Sequence, residues 1–218
     1  MFKQLLSVFL ESRCPFCQKT SPQTICQYCF NKLKTHQYKQ RDRNLWWGDF
    51  PIFAWGRYEG QLKRAIFNMK YHNCPEIGLV LGELLGEAWL ASNAIEVQKV
   101  TVVPIPLHRR KMKDRGFNQA EKIARGFCQL TGYDLLPQAL VRRRETKAMF
   151  DLSPEERKQN LKGAFDMGNK LPSHPVLLLD DIYTMGTTIK ESTKILRQNK
   201  IQVIGSVVVA KTNSFRQL

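Results

Sequence analysis

The 218-residue chain has no apolar run near the roughly 18 residues a membrane span needs, so no transmembrane helix is expected. It has no internal repeat and no low-complexity linker, which excludes a repeat array. Histidine is scarce: His36, His72, His108 and His174 form no cluster and no spacing suited to catalysis or a metal. The first ten residues are too short for a signal peptide and lack a small-residue cleavage site before Arg13. Phe2, Leu5, Leu6 and Phe9 fall on one helical face, which predicts a packed helix there instead. These absences predict a cytoplasmic protein, and the length suits one α/β domain with a small appendage.

Acidic side chains are also few, 19 against 34 Lys and Arg, leaving a formal charge of +15. A surplus of that size predicts a polyanionic partner. The charge is clustered. Residues 109–125 hold Arg109, Arg110, Lys111, Lys113, Arg115, Lys122 and Arg125, and residues 142–162 hold Arg142, Arg143, Arg144, Lys147, Arg157, Lys158 and Lys162. The first 43 residues add eight basic groups against two acids. Arg110, Lys111, Lys113, Arg142, Arg143 and Arg144 are the candidate nucleic-acid contacts. Trp46, Trp47, Trp55 and Tyr58 lie near the basic N-terminal half, either to stack on unpaired bases or as ordinary core. A solvated basic surface with no specific partner is the plainer alternative.

Cys14-Pro15-Phe16-Cys17 and Cys26-Gln27-Tyr28-Cys29 are two C-x-x-C pairs separated by eight residues. Thiolates so spaced can close two corners each of a tetrahedral Zn²⁺ site. Four sulfur ligands leave no open position, so such a zinc is structural and staples a segment too small to form its own core. Two disulfides or redox motifs are the alternative. Cys74 and Cys128 stand alone and read as mostly buried thiols.

The most informative stretch is Val176 to Thr188. Val176–Leu179 is an unbroken aliphatic run, as in a strand buried on both faces of a parallel sheet. Asp180 and Asp181 follow where ligands of such sheets bind, suited to ribose hydroxyls or to the waters of a Mg²⁺ ion. Gly186 permits a tight turn. Thr184, Thr187 and Thr188 supply hydroxyls, and the first turn of the next helix supplies unpaired N–H groups for a phosphate. A plain strand–turn–helix capped by Asp and Thr is the alternative. The segment resembles the phosphoribosyl-pyrophosphate (PRPP) motif of type I phosphoribosyltransferases, except that Met185 replaces a usual small or hydroxylated residue.

Strands are expected at Phe50–Trp55, Val100–Ile105, Leu140–Val141 and Val203–Ala210, besides the Asp-Asp strand. Helix faces are expected at Leu62, Ala65, Ile66 and Met69; at Leu81, Leu84, Leu85 and Ala88; at Ala120, Ala124, Phe127 and Leu130; and at Ile189, Thr193 and Leu196. A further helix is predicted after a capping box at Ser153-Pro154-Glu155-Glu156. Alternating strands and helices imply an α/β fold, a parallel sheet flanked by helices. Residues 1–45 are assigned to the N-terminal helix and four-cysteine zinc knuckle, and 46–218 to the phosphoribosyltransferase-like domain.

Over nearly its whole length the chain resembles the ComF-family competence proteins, of the ComFC type. The resemblance rests on the double C-x-x-C knuckle, Tyr58-Glu59-Gly60, Leu62-Lys63, Lys70-Tyr71, Val103–Leu107 and Arg115–Ala120. It continues through Arg142–Thr146, Leu152-Ser153, Arg157, Asn160 and Gly163–Phe165 into the PRPP-like motif. Met149 departs from the Gln common there. The resemblance implies a zinc-stabilised, type I phosphoribosyltransferase-like fold acting on single-stranded DNA in natural transformation, with a helicase-like partner. It makes Asp180 and Asp181 the catalytic acids and Mg²⁺ the companion of PRPP. Residues 184–188, with Arg109 and Arg115, become the phosphate and pyrophosphate contacts. A working transferase with an unknown acceptor and a purely structural helicase adaptor remain as alternatives. Phe2 stands where a glutamine amidotransferase would carry its N-terminal catalytic Cys, which argues against that class.

Overall fold

Apolar strands alternating with amphipathic helices build a six-stranded sheet in the computed structural model, which describes residues 13–39, 44–45, 50–93, 99–145 and 161–212. In chain order the elements are α1 (Gln27–Lys34), β1 (Asn44–Leu45), β2 (Ile52–Arg57), α2 (Gly60–Tyr71), α3 (Glu76–Leu90), β3 (Thr101–Pro104), α4 (Arg109–Arg115) and α5 (Gln119–Thr131). They continue as β4 (Asp134–Leu135), β5 (Leu140–Arg142), β6 (Phe165–Met167), β7 (Val176–Tyr183), α6 (Thr187–Gln198) and β8 (Val203–Lys211). Strand order is β1-β2-β8-β7-β3-β4. The last five are parallel and β1 is antiparallel at the edge. The expected parallel sheet flanked by helices is present.

Strand alternation sorts the core into two faces. On one, Phe53, Trp55, Val102, Leu177, Leu179, Val207 and Val209 pack with residues of α2, α3 and α5. On the other, Ile52, Ala54, Val103, Val176, Leu178 and Val208 pack with Ile189 and Leu196 of α6 and with Leu140 and Phe165 of the β5–β6 pair. Helices α3 and α5 approach backbone to backbone. A Cβ added at Gly82 would lie 2.0 Å from the Ile123 carbonyl oxygen, and one at Gly126 would lie 2.2 Å from that of Leu79.

Asn118 fixes the start of α5. Its side-chain oxygen accepts the Ala120 N–H (3.1 Å), and its amide donates to the Ile105 carbonyl (3.0 Å) beyond the end of β3. Both bonds are buried. Asn118→Ala is therefore expected to cost about 2 kcal/mol, read as a lowered urea midpoint at unchanged m-value.

Three expectations change. The Leu140–Val141 strand forms but lies outside the parallel sheet, because it pairs antiparallel with Phe165–Met167. Leu130 is 41 % exposed rather than inward, because it lies along Gly86 at the end of the α3–α5 contact with its outer side in solvent. The Asp-Asp strand runs on to Tyr183, held by parallel pairing with β8 as far as Lys211. The predicted N-terminal helix and the Ser153–Glu156 cap lie outside the described residues, as do Trp46, Trp47, Lys147, Met149, Arg157 and Lys158. The expected division after residue 45 falls beside residues 46–49, also outside them.

Candidate functional site

From β3 the chain crosses by α4 and α5 to β4 on one side, and from β7 it crosses by α6 to β8 on the other. The boundary between β3 and β7 is thus the point where the winding reverses, the place at which sheets of this kind bind ligands at the carboxyl ends of their strands. Pro104 of β3 pairs with Leu179, so Asp180 to Tyr183 run past the end of β3 while still paired to β8.

The two carboxylates diverge. Asp180 lines a solvent-open cleft with Ile182, Tyr183, Thr184, Gly186, Thr187, Thr188 and Ile189, with about 330 Å³ of empty volume. Asp181 is absent from that lining and forms a mostly buried ion pair with Lys70 of α2. The pair therefore does not share one pocket, because neighbouring strand residues face opposite sides of a sheet.

Electrostatics separate the acids further. Burial, then the adjacent Asp181 charge, pushes Asp180 well above the usual carboxylate range, against the Asp181 N–H that donates to its Oδ1 (2.8 Å) and against Lys70. Burial would pull Lys70 down, but Asp181, Asp180 and Tyr58 outweigh it and hold the ammonium above its ordinary value.

The turn after the acids is built for a close approach. Gly186 precedes α6 with φ +70°, and a Cβ there would lie 2.6 Å from the Tyr183 ring. No side chain caps α6; the first helical bond is from Lys190 N–H to the Gly186 carbonyl (2.9 Å). The start of α6 therefore presents N–H groups and the positive end of the helix dipole beside Thr187 and Thr188. Thr184 and Met185 are exposed at its rim, and Met185 does not line the cleft.

The basic residues of α4 and β5 lie outside the cleft lining. Arg109, Arg110 and Lys113 are exposed on α4, and Arg110 pairs with Glu145 at 3.4 Å. Arg115 bonds Gln119 and sits 5.7 Å from the Tyr71 ring centroid. Burial, then the charges of Arg142 and Arg115, pulls Lys111 below its usual value. Arg142 lies over the Phe165 ring (5.3 Å) within electrostatic reach of Asp180. Arg143 turns to Asp166 (3.2 Å), and Arg144 to the Lys162 carbonyl (2.8 Å). Neither Arg109 nor Arg115 lines the cleft. Trp55 is fully buried and Tyr58 half-buried, so Trp55 is core.

The four N-terminal cysteines converge. Their sulfur atoms all lie within 4.8 Å of one another, with Cys17 and Cys26 3.5 Å apart, and all four are free thiols. A tetrahedral ion with metal–sulfur bonds of about 2.3 Å needs sulfurs roughly 3.8 Å apart, so these residues can hold a metal ion. Burial opposes ionisation of Cys14, yet the N–H groups of Cys26, Phe16 and Cys17 bring its thiol down to about 6. Burial and the three other cysteines push Cys29 up. Cys14, Phe16, Ile25, Cys29 and Leu33 belong to the same core as α2. Arg64 and Asn68 of α2 bond the Phe16 and Pro15 carbonyls at 2.8 and 2.9 Å, and His36 accepts the Gln61 N–H (3.0 Å).

Sequence reasoning does not single out Lys70 for the site. The available signals are the Lys70-Tyr71 block of the family resemblance and its place four residues after Ile66, where the apolar face of α2 should continue. No described helix is long and apolar enough to cross a membrane.

No family model matches the chain. Competence protein F of Haemophilus influenzae is 30% identical over 206 residues, 88% of each chain. Competence protein ComFC of Streptococcus pneumoniae is 28% identical over 188 residues, 86% of this chain and 76% of that one. The DNA utilization protein YhgH of Salmonella typhimurium is 29% identical over 144 residues, 65% of this chain and 63% of that protein. The first match has an identity and coverage that leave one assignment: the chain belongs to the ComF family of competence proteins.

Proposed function

We propose that the protein binds a phosphoribosyl ligand of the PRPP type at the cleft between the end of β7 and the start of α6 and handles single-stranded DNA in natural transformation, as the competence and DNA-utilization names of its relatives suggest. The observation that carries the ligand reading is the cleft in which a buried carboxylate, three threonines and a glycine-led helix start stand together. In this reading the α6 N–H groups, Thr184, Thr187 and Thr188 hold the 5′-phosphate, and Asp180 takes ribose hydroxyls or the water shell of Mg²⁺. Mg²⁺ would supply charge neutralisation for the pyrophosphate. Asp181 orients through Lys70. Arg109, Lys111, Arg115 and Arg142 are proposed to supply positive charge for the pyrophosphate end, and Arg110, Lys113, Arg143 and Arg144 to contact the DNA backbone. Zn²⁺ is proposed for the four-cysteine site, as a structural ion. A helicase-like partner and a cytoplasmic setting belong to the same reading.

Calorimetry with Mg²⁺–PRPP tests it. Binding is expected to be lost in Gly186→Val, which fills the turn, and to weaken as pH falls. The sign follows from Asp180: its raised proton affinity must be overcome before the carboxylate can meet a cation, so binding releases a proton. That release appears as a dependence of the heat on buffer ionisation enthalpy. No detectable binding by the unaltered protein overturns the ligand reading.

A further inference from the structure

Cationic side chains account for phosphate binding and leave the bases of a strand without a partner. Two of the described exposed aromatics stand together on one helix. On α2, Leu62, Ala65, Ile66 and Met69 carry the burial, while Phe67 and Tyr71 are 49 % and 58 % exposed. Neither ring is needed to close the core. Their centroids are 4.9 Å apart with the planes tilted 45°, and His72 meets Phe67 edge-on at 5.2 Å. Exposing two large rings side by side forgoes burial that the helix uses elsewhere.

Charge complements this patch. The Arg115 guanidinium lies over the outer Tyr71 ring. Lys111 stands within the field of Arg115, Arg142 and Lys70. The patch also lies beside the basic helix α4, whose last residue is Arg115. Aromatic faces beside a cationic track are the arrangement that holds unpaired bases, because every base offers a π face while its phosphates need positive charge.

We propose that Phe67 and Tyr71, flanked by His72 and Arg115, form the platform on which unpaired bases of single-stranded nucleic acid stack beside the basic helix α4. The proposal rests on the nucleic-acid reading above and deepens it by naming where the bases sit.

Anisotropy titrations of a labelled oligothymidylate and of an abasic strand of equal length test it, with melting curves to check folding. In Phe67→Ala/Tyr71→Ala, Kd for oligothymidylate is expected to rise about tenfold or more, with the salt slope unchanged because no phosphate contact is removed. Abasic-strand binding should not move, and Tyr71→Phe should bind oligothymidylate as the unaltered protein does. Unchanged oligothymidylate affinity in the double variant overturns the platform and leaves the nucleic-acid reading standing. If the unaltered protein ignores both strands at low salt, both readings fall.

Discussion

Asp181→Asn is expected to destabilise the protein by about 3 kcal/mol, because it strands the mostly buried Lys70 ammonium without its counter-charge. Asp180→Asn is expected to act in the opposite direction, raising Tm by about 3 °C at neutral pH. The signs follow from the two environments. Asp180 binds its proton more tightly folded than unfolded, so its ionisation weakens the fold, and stability falls as pH rises from the ordinary carboxylate value through the raised one. Asparagine abolishes that slope. Lys70 is also raised, so its contribution is present below the unfolded lysine value and is lost as pH rises through the higher folded one. Thermal melts of both variants from acidic through neutral to alkaline pH check the set. Equal and same-signed shifts would show that the acids are not divided between the two faces of the sheet.

Removal of the Zn²⁺ proposed for the four-cysteine site is expected to lower Tm by about 10 °C or more and to make its thiols accessible to titration. The effect should be global rather than confined to the N-terminal segment. Cys14 and Cys29 lie in one core with Leu62, Ile66, Leu81 and Phe127, and the knuckle carbonyls are held by Arg64 and Asn68 of α2. Loss of the ion leaves closely packed thiols, among which burial and the neighbouring sulfurs oppose ionisation of Cys29. Scanning calorimetry with and without a zinc chelator, alongside thiol titration, provides the measurement. A Tm indifferent to chelation, or two disulfides found in the native protein by mass spectrometry, contradicts the metal assignment.

Much of this arrangement is legible from residue order. The Val176–Leu179 run announces a doubly buried strand, and the acids, Gly186 and the threonines after it do meet at one end of the sheet, apart from Asp181. The aliphatic run alone understates the length of that strand, and with both acids taken as its end Asp181 is expected in the cleft with its neighbour. Pairing of Ile182 and Tyr183 with Ala210 and Lys211 extends the strand through Asp181, and that contact is long-range. The same limit applies to charge. Arg142, Arg143 and Arg144 form one basic cluster in sequence, yet Arg142 turns over Phe165 toward Asp180, while its neighbours reach Asp166 and Lys162. The β5–β6 pairing joins segments more than twenty residues apart and carries no local signal. Trp55 shows the converse, since an aromatic in a short apolar strand reads equally as platform or core.

The reciprocal contact of Gly82 with Ile123 and of Gly126 with Leu79 has a mechanical consequence. Two helices seated on each other's main chain cannot slide by one residue without bringing a side chain where only a hydrogen fits. The layer formed by α3 and α5 thus resists shear and acts as a stiff wall behind Asp181. Narrowing of the cleft around an occupant then falls to the turn and α6 that line it on the opposite face, not to sliding of this layer.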